Sequence, residues 1–145
     1  MTTGRFVAAK EINLDANEDC FDVLRGEIVA LLACSHLNII RYHRSFIPSR
    51  RGSQPLSPTL NRLCIVMDYC ELGSLRQIID ANGPLPEKIV AEVAESILSA
   101  LEYLHRQKIS HRDLKAGNVL VDADGCIKLG DFGVALTDQS KLGKC

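Results

Sequence analysis

The feature that most constrains this chain is a pair of polar strings separated by a short hairpin signal. The first is His111-Arg112-Asp113-Leu114-Lys115-Ala116-Gly117-Asn118, and the second is Asp131-Phe132-Gly133. Between them, Val119 to Val121 and Cys126 to Leu129 read as two short strands, and Ala123-Asp124-Gly125 contains an Asp-Gly pair, a tight-turn signal. A chain folded this way brings Asp131 back beside Asp113 and Asn118, gathering two carboxylates and one carboxamide around one point. Such oxygens suit a hard divalent cation, with one carboxylate left to accept a proton. A polar loop followed by an ordinary turn would account for either string alone, but not for both at this separation.

Upstream, Phe6 to Ile12 alternates with a period of two and is expected to form a strand. Ala8 and Lys10 share one of its faces, Val7 and Ala9 the other. Phe21, Leu24, Ile28 and Leu31 make a helical stripe, within which Gly26 costs about 1 kcal/mol relative to alanine. Further strands are expected over Ile39 to Ile47 and Leu63 to Tyr69, separated by a surface loop rich in Pro, Ser, Arg and Gly from Pro48 to Arg62. The clearest helix runs from Glu87 to Gln107. Ile89, Val93, Ile97, Leu101 and Leu104 form its stripe, flanked by Val90, Ala94 and Leu98, with Pro86 at the first turn.

Composition removes several classes. With 46% apolar and 24% charged residues the chain is ordinary for a globular domain, and a net charge of −1 gives no signal for nucleic acid or an anionic membrane. No apolar run approaches the roughly 18 residues that span a bilayer. Met1-Thr2-Thr3-Gly4-Arg5 is not a signal peptide. The six cysteines form no C-x-x-C pair and read as reduced residues of an intracellular, cytoplasmic protein.

The two polar strings match, in order and separation, the signatures H-R-D-L-x-x-x-N and D-F-G, and the chain resembles a eukaryotic protein kinase catalytic domain. The resemblance implies an α+β, partial bilobal protein-kinase-like fold. A small antiparallel-sheet lobe with one helix would occupy residues 1–69, and the hinge and the start of a helical lobe residues 70–145. It further implies transfer of the ATP γ-phosphate to Ser/Thr hydroxyls of protein substrates, with ATP and Mg²⁺ as cofactors. Asp113 would accept the hydroxyl proton, and Asn118 and Asp131 would bind the metal. Val7-Ala8-Ala9-Lys10 resembles the V-A-I-K strand, giving Lys10 the α- and β-phosphates and Ala8 a contact with adenine.

Lys10 needs a carboxylate partner. Glu27 is the expected one, in a stretch running to His36-Leu37-Asn38-Ile39-Ile40 that resembles the helix ending in H-P-N-I-V, with Leu37 in place of Pro; Glu18 is a rival. Leu63 to Leu75 resembles the strand and hinge between the lobes. By that resemblance Met67 is the gatekeeper, the Asp68 carbonyl and Cys70 amide meet the adenine edge, and Leu120 closes the pocket from below. Phe132, His111, Leu31 and Tyr42 would stack as an apolar spine. Lys115 marks the serine/threonine pattern, its ammonium able to neutralise the migrating phosphate. The hinge wording, Gly73-Ser74-Leu75-Arg76-Gln77-Ile78-Ile79 and Ala116 to Asp122 most resemble the sterile-kinase group (MAP-kinase-kinase-kinases and their upstream relatives), with NIMA-related kinases next.

The pattern departs from the family at both ends. Nine residues with one glycine precede Lys10, so there is no G-x-G-x-x-G, and no Ala-Pro-Glu follows Asp131-Phe132-Gly133. The expectation is a truncated portion, inactive alone, with an unpaired sheet edge and an exposed apolar patch on the long helix. The alternative is a non-catalytic binding or regulatory module. Arg112 would pair with a phosphorylated activation-segment residue, making an upstream kinase a candidate partner. Thr137 and Ser140 are the hydroxyls after Gly133. Ser53 and Ser57 sit in short phosphorylation-like motifs for which the unmodified state is favoured.

Overall fold

The structure, a computed structural model, describes residues 6–13, 32, 34–48, 62–131 and 136–137. The first layer contains β1 (Val7–Asn13), β2 (Tyr42–Phe46) and β3 (Arg62–Asp68), antiparallel in the order β1-β3-β2. The centre goes to β3 because its Cys64-Ile65-Val66 run is apolar at every position, as a strand covered on both faces requires; all three residues are buried. On β1, the alternation anticipated from sequence sets Ala8 opposite Met67 and Lys10 opposite Ile65.

The strand expected from Ile39 starts only at Tyr42. Ile39 instead bridges in parallel to Leu129, and the Ile40 amide donates to the Leu129 carbonyl at 2.9 Å. Both isoleucines are almost wholly buried there. Their apolar character therefore belongs to a seam between two sheets, not to one continuous strand.

The second layer comprises β4 (Gly73–Ser74), α1 (Leu75–Asn82), α2 (Glu87–Arg106), β5 (Ile109–Ser110), a 3₁₀ turn (Ala116–Asn118), β6 (Val119–Val121), β7 (Ile127–Leu129) and β8 (Leu136–Thr137). Strands β4-β6-β7 make one sheet, and β5 pairs with β8. Helix α1 was not among the sequence expectations. It starts on a capping box: Gln77 N–H donates to Ser74 Oγ (3.3 Å), and Ser74 N–H to Gln77 Oε1 (2.8 Å). It stops at Gly83, whose φ of 85° lies in the region that favours glycine.

Helix α2 buries Val93, Ala100 and Leu104, with Ile97 and Leu101 half-buried, as its stripe predicts. Ile89, Val90 and Leu98 are exposed at 39%, 50% and 66%, so the buried face is narrower than the apolar one. The β6–β7 hairpin also differs at its edge. Asp122 Oδ1 accepts the amides of Asp124 (3.1 Å) and Cys126 (2.9 Å), which engages Cys126 in the turn and leaves β7 to begin at Ile127. One core cluster, including Ile39, Ile40, Tyr42, Ile65, Cys70, Leu104, Val119 and Leu129, runs through both layers. The fold is α+β, as expected. Among the described residues no helix is long and apolar enough to cross a membrane.

Candidate active site

The loop after β5 carries Asp113, Lys115 and Asn118, and the chain leaving β7 carries Asp131. His111 ties these two segments together. Its buried ring accepts the Asp113 amide at Nδ1 (3.3 Å) and faces the Gly130 carbonyl with Nε2 (3.0 Å). A ring that accepts at Nδ1 and meets a carbonyl at Nε2 carries its proton on Nε2 and donates it to Gly130. Residue 113 is thereby fixed relative to the residue before Asp131.

The backbone here is unusual. Arg112 and Asp131 have φ of 63° and 53°, a left-handed conformation that non-glycine residues adopt at a cost. Gly130, whose carbonyl meets the His111 ring, is buried. A Cβ there would stand 3.1 Å from Leu120 Cδ1 and 3.6 Å from Ile40 Cγ2, so the close approach of Leu120 depends on a bare glycine.

Around Asp113 the polar contacts are dense. Lys115 Nζ donates to Asp113 Oδ2 at 2.7 Å, while Asn118 Nδ2 donates to both Asp113 O (2.7 Å) and Asp113 Oδ2 (2.9 Å). The Lys115 hydrogen bond, then that from Asn118, holds the Asp113 carboxyl below the ordinary carboxylate range. The same bond from Asp113 raises Lys115, and the charge of Asp131 adds to the rise. From β1, Lys10 Nζ meets Asp131 Oδ1 at 2.5 Å, both side chains about half exposed. Lys10, Asp113, Lys115, Asn118 and Asp131 thus form one connected set of charges and amides.

Of the sequence-derived adenine residues, Met67 and Asp68 lie in β3, Ala8 in the neighbouring β1, Cys70 just beyond β3 and Leu120 in β6. Met67 and Ala8 are half-buried and opposite one another, Leu120 is half-buried, and Cys70 is buried. Burial, the main cause, pushes the Cys70 thiol up to about 11, so it stays protonated and unreactive at neutral pH. The Cys70 carbonyl accepts the Gly73 amide at 3.1 Å. Asp68 accepts a hydrogen bond from His43 Nε2 at 2.8 Å, a contact the sequence did not announce. Of the expected spine, Tyr42 and His111 are buried. Glu27, Glu18, Leu31, Phe132, Ser53, Ser57 and Ser140 lie outside the described residues, as does the side chain of Thr137.

The donor set fits Mg²⁺. Asn118 gives its amide nitrogen to Asp113, leaving Oδ1 as its acceptor, and Asp131 offers a carboxylate. Among the described residues no group of three or more His, Cys, Asp or Glu makes a preformed cage. Mg²⁺ needs none, because it takes one or two protein oxygens and completes its shell with phosphate and water.

The family "Protein kinase domain" matches residues 1–142 of the chain. The chain belongs to the protein kinase domain family. Similar proteins include the serine/threonine-protein kinase ppk11 of Schizosaccharomyces pombe, 38% identical over 92% of this kinase domain and 39% of that relative. Human mitogen-activated protein kinase kinase kinase kinase 3 is 37% identical over 99% of the chain and 15% of its own length. Cell division control protein 7 of S. pombe is 39% identical over 97% and 13%. The kinase domain chain thus spans well under half the length of these relatives.

Proposed function

We propose that this kinase domain, within its full protein, transfers the γ-phosphate of ATP to serine and threonine hydroxyls of protein substrates in the cytoplasm, not to nucleic acid or membrane. The observation that carries the reading is the connection of Lys10, Asp113, Lys115, Asn118 and Asp131 into one set of charges and amides. Asp113, anionic and held by Lys115 and Asn118, accepts the proton of the incoming hydroxyl at a carboxylate oxygen. Lys115 offsets charge on the migrating phosphate. Lys10 exchanges its contact with Asp131 for the α- and β-phosphates, with Glu27 as its second carboxylate.

Adenine would lie against Ala8, Met67 and Leu120, its edge bonded by the Asp68 carbonyl and the Cys70 amide. In this reading residues 1–69 are the smaller lobe, and residues 70–145 are the hinge and the beginning of the larger one, ending in the activation segment. Mg²⁺, when bound, neutralises phosphate charge, and Asn118 Oδ1 and Asp131 would hold it. The likeness to a kinase named for the MAP-kinase-kinase-kinase-kinase tier favours a sterile-kinase-type role with an upstream kinase acting through Arg112. The 145 residues carry no G-x-G-x-x-G to cover the phosphates and are expected to be inactive by themselves.

The test is phosphate transfer from Mg-ATP by the full-length protein to peptide mixtures containing Ser, Thr or Tyr acceptors. Transfer to Ser and Thr, lost in Asp131→Asn, is expected. Transfer confined to Tyr, or surviving in Asp131→Asn, would sink the assignment.

A further inference from the structure

The pairing of β2 with β3 is interrupted at one residue. Tyr42 stands opposite Met67 and Arg44 opposite Val66, so the register shifts across His43, which has no partner of its own. An extra residue of this kind bends the strand and re-aims a side chain. Here the re-aimed ring donates from Nε2 to Asp68 Oδ1 at 2.8 Å, with both side chains only about a third exposed. The same segment makes a second hold, because the Asp68 amide donates to the Arg41 carbonyl at 2.9 Å.

Asp68 is thus gripped at its backbone nitrogen and at its side chain. Two anchors on one residue fix the position and orientation of its Cα, the point from which its carbonyl is aimed. That carbonyl is the atom assigned above to the adenine edge. His43 shares its hollow with His36, Arg41 and Lys128. His36 is engaged by the Asn38 amide and Ser99, and Lys128 by the Leu37 carbonyl and Asp122. His43 meets Asp68 through its side chain, at 2.8 Å.

We infer that His43 is a positioning residue for adenine: by fixing Asp68 from the bulge in β2, it sets the direction of the carbonyl that receives the adenine amino group. This inference rests on the ATP reading above. It separates from that reading because it concerns one base contact and not the phosphates.

The experiment is nucleotide binding by the full-length protein, comparing ATP with purine riboside triphosphate, which lacks the amino group. His43→Leu removes the donor, His43→Gln keeps one, and Asp68→Ala removes the acceptor. The Kd for ATP is expected to rise about three- to tenfold in His43→Leu and in Asp68→Ala, the size of one weakened hydrogen bond. The Kd for the analogue should stay unchanged, and His43→Gln should recover most of the ATP affinity. The double variant should be no weaker than either single one, because both remove the same contact. Equal losses for both nucleotides, additive losses, or an ATP affinity indifferent to His43 would overturn the inference while leaving the kinase reading standing. Failure of the unsubstituted protein to bind ATP would overturn both.

Discussion

Asp113 accepts hydrogen bonds from an ammonium and an amide at once, and its acidity follows from that arrangement. Its pKa lies below the ordinary 3.8, the Lys115 bond being the largest cause. A carboxyl depressed on folding stabilises the fold above its unfolded value, and that contribution is lost as pH falls through the folded value. Asp113 is therefore still a carboxylate throughout the range in which a kinase works, and it does not set an acid limb near neutrality. In Lys115→Met, the Asp113 titration followed by carboxylate NMR should move up towards 3.8. Asp113→Asn should lower kcat about 10²- to 10⁴-fold, the usual worth of a positioned base, with little change in the KM for ATP. A steady-state transfer assay reads that split, and a variant retaining most of its kcat would remove Asp113 from the proton-accepting role.

At the scale of elements, the short helix α1 shows what a cap contributes. None of its residues is fully buried, although Leu75 packs against the core, so the Ser74–Gln77 box is a sizeable part of what holds it. Ser74→Ala should cost about 1 kcal/mol of stability, visible in thermal unfolding of the full-length protein. Because α1 is only eight residues long and buries none of them fully, its apolar pattern was a poor signal, although Ser74-Leu75-Arg76-Gln77 spelled out the cap. The long helix α2 and the central strand β3 were legible because each has a period or an apolar run set by burial. The end of the strand near Ile39 was not legible. Ile39 and Ile40 look like strand residues, and their partner Leu129 lies far along the chain. Asp113, Asn118 and Asp131 could be found because spacing within one loop and one hairpin brings them together. His43 could not, since its aim depends on a register between two strands.

Across the whole molecule, the piece bearing Lys10 joins the piece bearing Asp131 in two different ways. At the seam, Leu129 donates to the Asn38 carbonyl (2.9 Å), Ile40 to the Leu129 carbonyl (2.9 Å), and Asn38 Nδ2 to the Ile127 carbonyl (3.0 Å). These bonds lie beside the most buried side chains of the core. Across the cleft, the join is the half-exposed Lys10–Asp131 pair. Solvent-screened pairs of that kind are worth about 0–1 kcal/mol. Lys10→Met should therefore leave unfolding within about 1 kcal/mol of the parent while abolishing phosphate transfer. Calorimetry and the transfer assay on the same sample check both halves. A large loss of stability would mean that the pair holds the two pieces together.

The left-handed backbone at residue 131 has a consequence for how such a gene can change. Asparagine is among the few residues besides glycine that accept that conformation readily. It is also one base change away from aspartate in the genetic code. A duplicated copy that drifts to asparagine there would lose the carboxylate proposed to hold metal without losing its shape. Drift to alanine would remove the carboxylate and burden the backbone as well. Of two equally short mutational paths away from the proposed catalysis, the one to asparagine is thus the gentler on the fold, and it leads to a folded, silent scaffold.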